Sequence, residues 1–142
     1  MSAASPLGEL ELIRSNAEGA ATVFEAPMDD DPVLAGHYPG FPVLPGVFLI
    51  EAADRTVRQW ARTNAPAADG ADGGDVELLA MERCRFHRPV FPGDRVLADV
   101  SVADSAAGLL FKAAVATNRG KVADIRLRYR LGHGRDREEG TQ

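Results

Sequence analysis

The chain is expected to fold as an α+β domain with one long buried helix and an antiparallel sheet. Three observations predict this. An apolar run opens at Pro45-Gly46 with Val47-Phe48-Leu49-Ile50 and continues through Ala52, Ala53, Val57, Trp60 and Ala61. It is apolar nearly all round for about two turns, which reads as a buried helix. After it, segments of alternating apolar and polar residues repeat with the period of a half-buried strand. Turn residues join those segments closely, so neighbours run antiparallel.

The elements follow in order. Residues 1–8 are small and polar and are expected to be flexible. Leu10 and Leu12 alternate with Glu9 and Glu11, a short strand with one buried face. Asn16 to Gly19 supplies a turn, and Ala20 to Ala26 a second strand. Asp29-Asp30-Asp31 before Pro32 reads as a solvated loop, because adjacent carboxylates do not converge easily on one ion. Pro39, Pro42 and Pro45 stiffen the stretch before the helix. The helix is expected from about Gly46 to Thr63, followed by a flexible acidic loop over 64–75.

Val76 to Val90 reads as a long strand. Its strict alternation puts Leu78, Ala80, Glu82, Cys84 and Phe86 on one face, with Leu79, Met81, Arg83, Arg85 and His87 on the other. Pro89, Pro92 and Gly93-Asp94 break it. Val96, Ala98, Val100 and Val102 then alternate with Leu97, Asp99 and Ser101, and Asp104 to Gly108 turns the chain. Leu109, Phe111, Ala113 and Val115 form the next inward row, and Asn118-Arg119-Gly120 the next turn. In the last strand Ile125, Leu127, Tyr129 and Leu131 face inward; Asp124, Arg126, Arg128 and Arg130 face outward. Residues 132–142 form a polar tail.

With 142 residues, 45% hydrophobic and 26% charged, one domain spanning 1–142 is expected. No apolar run approaches a membrane span and no signal-peptide pattern opens the chain, so a cytoplasmic protein is expected. The single cysteine, Cys84, excludes an internal disulfide and reads as packing. A net charge of −5 argues against general nucleic-acid binding, yet not against an acidic protein partner met by clustered arginines. Arg83, Arg85, Arg88, Arg126, Arg128 and Arg130 are candidates for such a docking patch. The histidines are too dispersed for a metal site, and neither a phosphate-cradling glycine loop nor a Gly-x-Ser-x-Gly elbow is present. No metal or cofactor is expected.

The chemistry points to residues 37–51. Glu51 sits inside an apolar helical run, where a carboxyl group is costly unless paired, protonated or used. Gly46, with Val47 beside it, opens the helix and leaves backbone N–H groups near its positive end. Such groups polarise a thioester carbonyl oxygen. His37 is placed to remove a carbon acid's proton, and Glu51 to protonate a leaving hydroxyl.

The segment His37-Tyr-Pro-Gly-Phe-Pro-Val-Leu-Pro-Gly46-Val, followed by Glu51-Ala52, resembles the signature of the hot-dog-fold 3-hydroxyacyl-(acyl carrier protein) dehydratases. A second block, Arg85-Phe86 with Arg88-Pro89-Val90 and Pro92-Gly93-Asp94, is similar to that family's later strand and turn. The resemblance spans about residues 34 to 130. It implies a hot-dog fold, with the helix wrapped by the sheet, and a dimer sharing one sheet, whether homodimer, higher oligomer or heterodimer. It implies dehydration of a 3-hydroxyacyl carrier-protein thioester to the trans-2-enoyl thioester. By motif position His37 is the base at C2, Glu51 the acid at the 3-hydroxyl, and Gly46 the donor to the thioester oxygen, with one site drawing on two subunits. Acyl-tunnel candidates are Phe48, Leu49, Phe86 and Phe91. The alternatives are a thioesterase on the same fold, with Glu51 directing water, or a partner subunit of a heteromeric dehydratase.

Two departures from the family stand out. The expected chain lacks the longer apolar segment that usually precedes the first strand. The family also usually carries glutamine four positions after the acid, where this chain has Arg55, preceded by Asp54. Arg55 is spaced for an ion pair with Glu51, and Asp54 is placed to compete for it.

Overall fold

The computed structural model describes residues 7–28, 43–64, 76–104 and 108–131. Strands β1 (Glu11–Asn16) and β2 (Gly19–Glu25) precede helix α1 (Val47–Asn64). Strands β3 (Val76–Phe86), β4 (Arg95–Asp104), β5 (Leu109–Thr117) and β6 (Gly120–Leu131) follow it. All six strands form one antiparallel sheet in the order β1-β2-β4-β5-β6-β3, so β1 and β3 are its edges. The expected α+β architecture is what the chain adopts.

The core lies between α1 and the concave face of the sheet. Alternation delivers its sheet half: Val96, Ala98 and Val100 from β4, Phe111, Ala113 and Val115 from β5, and Ile125, Leu127 and Tyr129 from β6 are all buried. The helix contributes Leu49, Ala52, Ala53, Val57, Trp60 and Ala61. Its alanines bring the helix axis close to the strands, and its aromatics fill what remains. Trp60 meets the Phe111 ring edge-on with centroids 5.1 Å apart, and Phe111 meets Tyr129 at 5.6 Å.

Polar groups inside this core are paired. The Thr56 hydroxyl donates to the Ala52 carbonyl at 2.7 Å and lies 2.8 Å from the Thr22 hydroxyl on β2. Trp60 Nε1 donates to the Asn16 carbonyl at 2.8 Å, tying the far end of α1 to the β1–β2 turn. That turn is the expected one, with Asn16 Oδ1 accepting from the Glu18 N–H at 2.9 Å.

The third strand departs from expectation. It ends at Phe86, not Val90. Pro89 has no N–H for the ladder, and the Val90 carbonyl instead accepts from Leu44 N–H at 2.9 Å, ahead of the helix. Register also slips between Leu78 and Ala80 and again between Met81 and Arg83. Each slip leaves one extra residue, Leu79 and then Glu82, in a bulge. The strict alternation read from sequence therefore fails between them. Met81 lies opposite inward-facing Leu127, whereas Ala80 lies opposite outward-facing Arg128.

Of the amino-terminal stretch, residues 1–6 lie outside the described residues. Leu7 is 4% exposed and joins the core. The loop over 65–75 and the tail over 132–142 lie outside the described residues, as does the acidic run Asp29-Asp30-Asp31.

Candidate active site

The start of α1 is held in place from two sides. Val43, Leu44 and Pro45 are buried, and the Leu44–Val90 hydrogen bond fastens them to the segment after β3. This brings the Phe86 ring onto Gly46. A Cβ at Gly46 would stand 2.6 Å from Phe86 Cζ, so only glycine leaves room for the ring where it lies. The Gly46 carbonyl accepts from Leu49 and Ile50 N–H groups at 2.9 and 3.3 Å, which starts the helix. The N–H groups of Gly46 and Val47 donate to no described residue. They stand at the positive end of an 18-residue helix.

Glu51 follows one turn later. It lies between the buried and open faces of α1, with a side chain 31% exposed. Arg55 Nη1 donates to its Oε2 at 3.3 Å. The competition expected from Asp54 is resolved by other partners. Asp54 Oδ1 accepts from the buried Tyr129 hydroxyl at 2.7 Å, and its Oδ2 pairs with Arg58 Nε at 3.0 Å. Arg58 also donates to the Val76 carbonyl at 3.0 Å, closing a link between α1, β6 and the start of β3. Burial, and then the Asp54 carboxylate, push the Tyr129 phenol far above its ordinary value. Arg58 and Tyr129 were not singled out from sequence. Arg58 stands at the same i+4 spacing from Asp54 as Arg55 from Glu51, and that repeat was the legible signal.

Half of the proposed catalytic pair, His37, lies outside the described residues. The tunnel candidates are dispersed. Leu49 is in the core at 2% exposure and Phe48 packs partly against it. Phe86 covers Gly46. Phe91 sits on the turn before β4, under the Arg119 guanidinium at 5.0 Å from its centroid.

The arginine candidates divide into two groups. Arg128 pairs with Glu82, Arg130 with Glu77 at 3.0 Å, and Arg88 donates to the Lys121 carbonyl at 3.1 Å. The Arg128 hydrogen bond holds the Glu82 carboxyl below its ordinary range. Arg85 lies opposite Asp124, whose carboxyl is lowered by His87 at 2.8 Å and by Lys121 at 3.0 Å. Arg83 instead lies directly opposite Arg126, and Arg126 opposite Lys112 on β5. These cations form one row across three strands on the convex face; none makes a direct salt bridge among the described residues, although Arg126 helps hold the Glu82 carboxyl low. Lys112 was not foreseen, because only the strand register brings it beside Arg126. Cys84 is half-buried, and burial pushes its thiol up, away from nucleophilic use. Among the described residues no cluster of His, Cys, Asp or Glu is arranged to hold a metal ion.

A sequence model of the ApeI-like dehydratases, described as ApeI dehydratase, matches residues 14–125. The chain belongs to this family. The ApeI-like chain is also 34% identical over 85 residues to 3-hydroxyacyl-(acyl-carrier-protein) dehydratase FabZ of Rhizobium rhizogenes, covering 60% of this chain and 52% of that one. To the FabZ of Haemophilus influenzae Rd it is 35% identical over 95 residues, covering 66% and 62%. It thus spans less than two thirds of the length of these curated relatives. Among solved structures, the PaaI protein of E. coli superposes with a TM-score of 0.70 at 18% identity, over 94% of this chain and 86% of that one. The dehydratase heterocomplex ApeI:P of Xenorhabdus doucetiae superposes at 0.54 and 20% identity, over 87% and 96%. These likenesses establish the hot-dog fold of the ApeI-like chain.

Proposed function

We propose that this protein dehydrates a 3-hydroxyacyl thioester carried on an acyl carrier protein, giving the trans-2-enoyl thioester and water. One observation carries the reading. In a chain of a dehydratase family, a carboxyl group stands one helical turn beyond two N–H groups that donate to no described residue. The N–H groups of Gly46 and Val47 suit the thioester oxygen, on which negative charge develops as the C2 proton leaves. His37 takes that proton. Glu51 gives its proton to the 3-hydroxyl as the C3–O bond breaks, and the electron pair from C2–H becomes the double bond. Free acid would instead be the product of a thioesterase on this fold.

The carrier protein docks, in this reading, on the convex face along Lys112, Arg126 and Arg83. Like charges set side by side repel, so their alignment costs stability and suits an acidic partner. Assembly proceeds through the edge of β3 that pairs with no described strand, where Leu78, Leu79 and Met81 are 40%, 46% and 49% exposed. A second copy of this chain is the partner proposed.

Mass spectrometry of a 3-hydroxyacyl carrier protein after incubation with wild type, His37→Ala and Glu51→Gln tests the reaction. Loss of one water with the thioester intact, by wild type alone, is the expected result. Release of free acid would replace the proposal with thioester hydrolysis. No change with wild type would sink the stand-alone enzyme on that substrate.

A further inference from the structure

Arg55 reaches in two directions. Its Nη1 donates to Glu51 Oε2 at 3.3 Å, and its Nη2 donates to the Gly8 carbonyl at 2.8 Å. Asp54, the other carboxylate of this turn, is engaged by Arg58 and Tyr129 and leaves Arg55 to Glu51. The Gly8 carbonyl is tied to the core through its neighbour. Leu7 beside it is buried in the core, and Gly8 itself adopts φ +65°, which side chains rarely permit. A planar guanidinium that grips such a carbonyl through one nitrogen keeps little freedom in the other. The carboxyl group it meets is therefore aimed as well as paired.

We propose that Arg55 is a positioning residue for Glu51: anchored on the Gly8 carbonyl, it holds in place the carboxyl group that protonates the leaving hydroxyl. The inference rests on the dehydratase reading above. It makes the short segment before β1 part of the site, although that segment touches no reacting atom. Lysine is a partial substitute only, because one ammonium on a flexible stem does not reproduce the two-pronged fork. A merely solvated i,i+4 pair would leave the chemistry untouched.

The test combines steady-state kinetics on the 3-hydroxyacyl carrier protein with thermal melting and amide hydrogen exchange, for wild type, Arg55→Met, Arg55→Lys, Glu51→Asp and the double variant Glu51→Asp/Arg55→Met. Arg55→Met is expected to lower kcat about tenfold with KM nearly unchanged, since it misplaces a reacting group without removing a binding contact. Arg55→Lys recovers part of the loss, and melting temperatures stay close to wild type. In the Glu51→Asp background, where the shorter carboxyl group no longer meets the guanidinium, Arg55→Met changes kcat by less than about twofold. An equal loss in both backgrounds, or a rise in KM alone, overturns the proposal. If wild type forms no enoyl product, the dehydratase reading itself has failed. Exchange at residues 7–10 then still judges the anchor: about tenfold faster exchange in Arg55→Met supports it, and unchanged exchange removes it.

Discussion

Gly46 shows how one missing Cβ serves two ends. It lets the Phe86 ring lie against the helix start, beside N–H groups that have no acceptor among the described residues. Phe86 is half-exposed, so its ring can swing into solvent when crowded. Gly46→Ala should therefore fold with stability within about 0.5 kcal/mol of wild type. Its kcat should nonetheless drop by about tenfold or more, because the ring and the N–H groups no longer keep their relative places. Urea unfolding and turnover, measured on the same preparation, check both halves. A large stability loss would mean that the ring cannot move aside. Glycine at this position and the carboxyl group at Glu51 were both legible in the sequence, since each is an anomaly within an apolar run. The Phe86 contact was not, because forty residues separate the pair along the chain and a tertiary link, the Leu44–Val90 hydrogen bond, joins their segments.

Among the elements, α1 is fixed to the sheet by a few buried polar links, and the Tyr129–Asp54–Arg58 link is sensitive to pH. Its phenol titrates far above its unfolded value of about 10. A raised folded value means that the link contributes its full stability below about pH 10 and loses it as pH rises further, at up to about 1.4 kcal/mol per pH unit. Tyr129→Phe should be about 1–2 kcal/mol less stable than wild type at neutral pH, and the gap should close above about pH 10. Denaturant unfolding from pH 7 to the alkaline limit checks this; a gap independent of pH would contradict it. The strands β4, β5 and β6 were readable from alternation because their register slips, after Val102 and at Val122, fall at the ends of the inward rows. Strand β3 was misread in its middle because it is an edge, paired on one side only, where a bulge disrupts a single ladder. Helical spacing offered Arg55 to Glu51 and left Asp54 open as its rival; only the structure assigns it to Glu51, and its second partner, Gly8, belongs to a tertiary contact that no local pattern announces.

At the scale of the whole molecule, an acidic chain presents a cationic row on its convex face and an apolar edge on β3. Arg126→Glu places an acid between Arg83 and Lys112 and should lower kcat/KM for a carrier-bound substrate, with the effect shrinking as salt is added. A short thioester without the carrier should be turned over as by wild type. Equal loss on both substrates would place Arg126 in folding or chemistry instead of docking. For the edge, Leu79→Lys with Met81→Lys adds charge to the strand proposed to meet a second copy. Sedimentation should then report a monomer where wild type gives a dimer, and a wild-type monomer would point to a different partner chain. The sheet order behind both surfaces could not be read from the sequence, since β3 joins β6 across the whole second half of the chain.

The two bulges of β3 also bear on how this chain can change in length. Leu79 and Glu82 are extra to the ladder, so each can be lost without altering which residues of β3 and β6 face one another. A codon deleted at either place shortens the strand and leaves every remaining backbone pair in register, although loss of Glu82 also removes the partner of Arg128. A codon deleted elsewhere between Val76 and Phe86 would turn over every side chain beyond it unless a bulge absorbed the slip. Length variation among relatives should gather at these two positions, which act as spare links in the edge.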